Sequence, residues 1–427
     1  MPSYKVTGQK PLIGEVCISG SKNAALGIFA ASMMLDGPCI LENVPEVSDM
    51  QDMIEICEEI GATITKLEPG TYKIDPTTIR SPEAVHEKVK AIRGSYYLWG
   101  ALLSRSKKVI SLMPGGCNFG TRPIDLHLKG FEKMGVKGTH TRDIRDGIIR
   151  FEAPVLKGTG IFLDIASVGA TINIMLAATK ASGITTIENA AKEPHIVDVA
   201  NFLNAMGASI KGAGTDTIRI KGTPVLPGRY SYSVIPDQIE AGTYMIAAAI
   251  TRGSVLIKNL IPRHLEPLTA KLIDMGFSII ENDDSIHVSI AENTVIQPVN
   301  FKTMPYPGFP TDLQPQATTL LCVAEGLSRM QEGIWPNRFQ YVQELQTMGA
   351  NITVIDKMAL VNGPSSFHGA QVEAKDLRAG AAMLLAGLAA QGVTEITQAQ
   401  RIDRGFVNLI DKLTALGAEI VRVDDPV

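Results

Sequence analysis

One short phrase recurs six times along the 427 residues and limits the fold more than anything else in the chain. A helical stretch ends, a glycine follows and a β-type run begins: Ile60-Gly61-Ala62, Met134-Gly135-Val136, Met206-Gly207-Ala208, Met275-Gly276-Phe277, Met348-Gly349-Ala350 and Leu416-Gly417-Ala418. The intervals are 74, 72, 69, 73 and 68 residues, so six units of about 71 fill the chain. Each glycine stands where a helix ends in a left-handed residue, a conformation in which a Cβ is penalised. Upstream of each phrase lies a second stretch, rich in Ala with Leu or Met: Ala24 to Leu35, Ser95 to Leu103, Val168 to Ala181, Ala241 to Thr251, Ala317 to Ala324 and Ala379 to Ala390. These are apolar nearly all round, which predicts buried helices. Most are followed by a Gly-containing turn, a strand, and a polar loop that opens with Asn43, Asn189 and Asn259 in three units. Alternating helices and period-two strands such as Thr217-Ile218-Arg219-Ile220 predict an α/β fold with helices inside and sheets outside. Six units divide as three plus three, and the turn-rich Pro224, Pro227, Gly228 and Pro236 put the division near residue 235.

Composition narrows the partners. Forty Lys and Arg against 44 Asp and Glu, with no basic run, give no surface for nucleic acid. Apolar runs stop near 12 residues and the first residues lack the charged-then-apolar order of a leader, which predicts a cytoplasmic protein with no membrane contact. The five cysteines form no CxxC pair and stand beside only seven scattered histidines, so neither a disulfide framework nor a metal site is expected. Cys17, Cys39, Cys57 and Cys322 lie in apolar stretches and are expected to be buried.

Polar residues open each apolar helix with the period of the repeat: Lys22, Arg93, Ser167, Glu240, Asp312 and Arg378. Helix N-termini carry unpaired N–H groups and favour anions, so equivalent points brought to one cleft suit a phosphorylated substrate. Each is equally a capping position, and Asp237 with Glu240 has the form of a capping box, while Asp312 and Asp376 suit plain N-caps. The second unit departs from the others in Pro114-Gly115-Gly116-Cys117-Asn118-Phe119-Gly120-Thr121-Arg122, a glycine-rich loop that sets a thiol five residues from a guanidinium. A neighbouring cation lowers a thiol pKa and makes it a competent acid or nucleophile. The matching loop of the sixth unit, Arg401-Ile402-Asp403-Arg404-Gly405, is a second candidate for clamping an anion or a solvated charge cluster.

Taken with Ser19-Gly20-Ser21-Lys22-Asn23, Arg122-Pro123-Ile124-Asp125-Leu126-His127, Ser167-Val168-Gly169-Ala170-Thr171, Phe309-Pro310-Thr311-Asp312 and Asp376-Leu377-Arg378-Ala379, these stretches resemble the enolpyruvyl transferases over the whole chain, in the branch that acts on UDP-N-acetylglucosamine. The resemblance implies a two-domain inside-out α/β barrel with three units per domain. The N-terminal strand would join the second domain, giving 22–235 as one domain and 1–21 plus 236–427 as the other. It implies transfer of the enolpyruvyl group of phosphoenolpyruvate to the sugar 3-hydroxyl with release of phosphate, the first committed step of peptidoglycan synthesis, without cofactor or metal. Lys22, Arg122 and Arg404 would bind the phosphoenolpyruvate phosphate, Arg378 its carboxylate end, and Arg93 the neighbouring substrate region. Asn23 and Asp312 would hold the amino sugar, Arg122, Pro123, Ile124, Asp125 and Leu126 the uracil end, and Ser167, Val168 and Gly169 the diphosphate. Ile334 would add a backbone contact. Cys117 would be the general acid and Asp312 the base. Three positions depart from the family's usual residues: Gln238 for Arg, Pro336 for an acidic residue and Arg401 for His. The alternatives are a specialised or non-catalytic paralogue that binds the nucleotide sugar, and the sister transferase acting on shikimate 3-phosphate.

Overall fold

The computed structural model describes residues 2–115, 124–140 and 147–424. The chain forms two compact units, one of Gly20–Ile235 and one of Met1–Ser19 with Pro236–Val427. Each is a ring of three repeats built on one plan.

The inner helices are Lys22–Ser32, Tyr97–Ser106 and Val168–Thr179 in one unit, and Gln238–Ile250, Gln314–Leu321 and Leu377–Ala389 in the other. Nearly every residue in them is buried, as their composition demands. Glycines let them touch. A Cβ on Gly100 would lie 2.2 Å from the Asn173 carbonyl oxygen, and the Gly100 N–H donates to Asn173 Oδ1 at 2.7 Å. The outer helices are amphipathic: Ser48–Ile60 buries Met50, Met53, Ile54, Cys57 and Ile60 and leaves its acidic residues largely outward. All six repeat glycines close their helices with φ between 90° and 109°.

Sheets cover the helices from outside. Five have four strands, with the first two parallel and the rest antiparallel, as in Gly160–Phe162, Ile184–Glu188, Thr217–Lys221 and Ser209–Lys211. One face is buried and the other solvated, which gives Thr217–Lys221 its strict alternation. Cys17 corrects the sequence reading. In strand Ile13–Cys17 the alternation turns Val16 inward, and Cys17 is exposed on the outer face; Cys39, Cys57 and Cys322 are buried.

The rings are closed by strands distant in sequence. Ser231–Ser233 pairs in parallel with Cys39–Glu42, joining third repeat to first. Ile13–Cys17 does the same for Ser254–Lys258. Ser3–Thr7 is inserted between Val393–Thr397 and Glu419–Val423, antiparallel to both. The chain crossings follow directly: Ser19 O accepts from Asp237 N at 2.9 Å, and Ile235 O accepts from Ser21 N at 2.7 Å. Asn43, Asn189 and Asn259 perform one task three times. Each is left-handed (φ 54°, 55° and 58°) and donates its amide to the carbonyl just past the parallel edge strand, at Val234, Leu163 and Ile18, over 2.7–2.8 Å.

Candidate active site

The helix-opening residues separate into caps and site residues once their partners are known. Ser21 and Ser167 are N-caps accepting from Ala24 N and Ala170 N, and Asp237 and Asp376 each accept two backbone N–H groups. Glu240 does not complete a capping box. It is 2% exposed and accepts from Ser19 N at 2.9 Å and Lys412 Nζ at 2.6 Å, so it anchors the crossing instead. Asp312 is not a cap either: its carboxylate turns to two guanidiniums.

In the unit of residues 20–235, Lys22 is 7% exposed and pairs with Asp49 of the outer helix at 2.9 Å, while Asn23 beside it is half-buried. Arg93 opens the turn Arg93–Tyr96 and its guanidinium lies 5.5 Å over the Tyr96 ring. That ring meets His127 edge-on at 4.9 Å, and the Tyr96 hydroxyl lies 2.6 Å from where a Cβ on Gly169 would stand. Arg93, the head of helix Val168–Thr179 and the helix Asp125–Lys133 therefore come together through Tyr96 and His127, neither of which the sequence had marked as a site residue. Ser167 spends its hydroxyl on the cap, whereas Val168 and Gly169 are first-turn residues whose N–H groups have no acceptor within the helix. Ile124 and Leu126 are buried and Asp125 is exposed at the helix start. Burial, with the Arg93 charge beside it, pulls His127 down to about 3, so its ring is neutral near pH 7. Asn173 Nδ2 faces its Nδ1 at 3.0 Å, which places the ring proton on Nε2. Cys117, Arg122 and Pro123 lie outside the described residues.

In the other unit Asp312 receives Arg378 Nη2 at 3.0 Å and stands 3.6 Å from Arg338 Nη2; the two Arg side chains are 3% and 1% exposed, against 32% for Asp312. Arg338 also donates to Thr311 O at 3.2 Å. Sequence reading passed over it although it sits in the Asn337-Arg338-Phe339 phrase next to the altered Pro336. Ile334 occupies a turn ordered by the buried Glu332, which accepts from Ile334 N at 2.7 Å and Trp335 N at 3.0 Å, and from Thr311 Oγ1 at 3.1 Å. Gly405 and Phe406 pack on Arg378, bringing the half-buried Arg404 turn beside the Asp312 cluster. Within the Arg401–Gly405 loop, the Arg401 guanidinium is engaged by the protein itself, donating to Glu373 Oε1 and to the carbonyls of Ala374 and Lys375 at 2.9–3.3 Å. Its bond to Ala374 O, the carbonyl just past the parallel edge strand Gln371–Glu373, gives the sixth repeat the contact that Asn43, Asn189 and Asn259 give theirs.

Among the described residues no group of His, Cys, Asp and Glu is arranged to hold a metal, and no helix is long and apolar enough to cross a membrane. The model of the family described as EPSP synthase (3-phosphoshikimate 1-carboxyvinyltransferase) matches residues 6–413. The chain belongs to the enolpyruvyl transferases. Within this family it is 50% identical, over 99% of its length and 100% of the relative, to UDP-N-acetylglucosamine 1-carboxyvinyltransferase 3 of Caldanaerobacter subterraneus subsp. tengcongensis. It is 52% identical, again over 99% and 100%, to UDP-N-acetylglucosamine 1-carboxyvinyltransferase of Clostridium botulinum. Among solved structures, the enolpyruvyl transferase NikO from Streptomyces tendae matches with a TM-score of 0.89 at 28% identity, covering 100% of this chain and 99% of that one. EPSP synthase from Acinetobacter baumannii, at 20% identity and a TM-score of 0.77 over 99% and 100% of the two chains, shares the fold. The inside-out α/β architecture is that of these transferases.

Proposed function

We propose that this enolpyruvyl transferase moves the enolpyruvyl group of phosphoenolpyruvate to the 3-hydroxyl of UDP-N-acetylglucosamine and releases phosphate, in the cytoplasm, at the first committed step of peptidoglycan synthesis. The observation that carries the reading is the identity of 50% and 52%, over nearly the whole chain, to relatives named for the nucleotide-sugar reaction. The sister reaction gives its name to the family model that matches residues 6–413, but the solved EPSP synthase structure is only 20% identical to this chain, against 50% and 52% for the nucleotide-sugar relatives.

The reaction adds, then eliminates. The sugar hydroxyl gives up its proton to a base and its oxygen bonds to C2 of phosphoenolpyruvate as an acid delivers a proton to C3; the tetrahedral ketal then returns a proton from C3 to a base, the C2–O bond breaks with its electron pair leaving on phosphate, and an enol ether remains. Cys117 is assigned as the acid that protonates C3. Asp312 is assigned to the sugar hydroxyl. Its carboxylate accepts the hydroxyl's hydrogen bond and takes that proton as the oxygen bonds to C2; two buried guanidiniums beside it make it a modest base, so its main task is to position the hydroxyl. Arg378 is assigned to the substrate carboxylate, and Arg338 joins it there, because guanidinium forks suit carboxylates. Lys22, Arg122 and Arg404 are assigned to the phosphate, whose charge of about −2 is stabilised as it leaves. Asn23 is assigned to the amino sugar and Arg93 to the neighbouring region. Val168 and Gly169 offer N–H groups to the diphosphate with Ser167 as cap, and Arg122 to Leu126 take the uracil end, with a backbone contact from Ile334. These cations supply the electrostatic stabilisation, and no cofactor is assigned a step.

Phosphate release from phosphoenolpyruvate, with and without UDP-N-acetylglucosamine and before and after fosfomycin, tests the proposal. Release should require the nucleotide sugar and cease on thiol alkylation. Release driven instead by shikimate 3-phosphate, or nucleotide-sugar binding with no release, would overturn it.

A further inference from the structure

The turn that carries Arg404 is tethered on several sides. Ala399 N donates to Pro2 O at 3.0 Å, and Arg401 holds the carbonyls of Ala374 and Lys375. Asp403 accepts a hydrogen bond from the Tyr4 hydroxyl and pairs with Arg422 Nη1 at 2.8 Å, while the Arg422 guanidinium lies 5.8 Å over the Tyr4 ring. Tyr4 itself is 2% exposed and fixed in the sheet, opposite Ile396 on one side and Arg422 on the other. A hydroxyl on a strand with neighbours on both sides is therefore aimed at the residue next to Arg404. The two partners of Asp403 divide their tasks. Arg422 is 42% exposed and can follow a moving carboxylate, whereas Tyr4 cannot.

The geometry points to Tyr4 as a positioning residue: through Asp403 it fixes the Arg404 guanidinium in the place where it meets the leaving phosphate. This rests on the assignment of Arg404 to that phosphate. Hydrogen bonds to a carboxylate are among the stronger and more directional contacts, and pre-set geometry lowers the ordering cost of binding.

The test is Tyr4→Phe in the full chain, which keeps the buried ring and removes only the hydroxyl. The expected result is a KM for phosphoenolpyruvate raised about five- to tenfold, and a Ki for inorganic phosphate raised by a similar factor. Because Arg404 meets the phosphate as it leaves, kcat should fall as well, by about two- to fivefold, while the KM for UDP-N-acetylglucosamine should stay within about twofold. In an Arg404→Ala background the same change should add little, because the two effects run through one group. Equal shifts for both substrates, or an undiminished effect of Tyr4→Phe in that background, would show a general structural role and overturn the inference. Should Arg404→Ala alone leave the phosphoenolpyruvate KM and the phosphate Ki unchanged, the assignment of Arg404 fails first, and the role of Tyr4 with it. Asp403→Ala, which removes the link by another route, should reproduce the Tyr4→Phe pattern with a larger shift; an unchanged phosphate Ki there would also overturn it.

Discussion

Asp49→Ala leaves a lysine charge buried beside an empty position, and the consequence can be worked from the structure. Lys22 and Asp49 are 7% and 5% exposed and 2.9 Å apart, so water screens the pair little. Removing one member of a buried pair costs about 3–5 kcal/mol, because the remaining charge keeps its desolvation penalty without the compensating attraction. In a unit of this size each kcal/mol moves the melting temperature by about 2–4 °C, so Asp49→Ala should lower the melting temperature of the Gly20–Ile235 unit by about 10 °C. Replacing both members, Lys22→Met with Asp49→Leu, should restore most of that loss while abolishing turnover, since an apolar pair of similar volume carries no buried charge. If Lys22 binds the substrate phosphate, phosphoenolpyruvate should also stabilise Asp49→Ala more than it stabilises the parent, by supplying the missing anion. A single Asp49→Ala variant that melts with the parent would refute the reasoning, because the pair would then be screened as a surface contact is.

Four further outcomes are expected. Burial pushes the Asp198 carboxyl up to about 6 against hydrogen bonds from Tyr232 and Ile235. Its folded pKa therefore exceeds the unfolded value, and its contribution is present at low pH and lost as pH rises from about 4 to about 6. Denaturant titrations of Asp198→Asn and the parent across that window should show the stability difference moving in the variant's favour as pH rises. Gly417→Ala places a Cβ with nothing closer than 4.0 Å at φ 97°, so its cost is conformational alone, about 1 kcal/mol in a urea titration. Cys117→Ala should abolish phosphate release while nucleotide-sugar binding by calorimetry survives, and Cys117→Asp should keep turnover while resisting fosfomycin. Cys17→Ala should leave turnover and melting unchanged, and Cys17 should react with a thiol reagent in the folded protein while Cys39, Cys57 and Cys322 wait for unfolding, their thiols raised by burial.

What the sequence disclosed and what it withheld divide along range. Gly61, Gly135, Gly207, Gly276, Gly349 and Gly417 were legible because a left-handed helix end is a local demand that one residue type meets cheaply. The inner helices were legible because a helix apolar all round has no solvated face to offer. Cys17 was misread because its apolar neighbours were weighed as composition rather than as strand alternation, which Ile13, Glu15 and Cys17 obey together. Partnerships between distant charges left no local trace: Lys412 meets Glu240 across 172 residues, and Arg378 meets Asp312 across 66. Arg338 was within reach, since a cation in a phrase already set apart by Pro336 invites the question of what it neutralises. His127 was quoted within a motif, but its neutral state and tautomer depend on burial and on Asn173, which only the packed helices supply.

The strand Ser3–Thr7 is synthesised long before its two neighbours, Val393–Thr397 and Glu419–Val423. At about 5–20 residues per second the ribosome needs roughly 20–80 s to deliver them. Gly20–Ile235 holds its own closing strand and can complete during that interval. For all that time this segment presents backbone groups paired only to water, with Tyr4 and Val6 beside them, open to any edge it meets. Chaperone demand and aggregation of this protein should therefore depend on translation speed through its second half, and slowing the ribosome there should lower the yield of folded chain more than slowing it earlier.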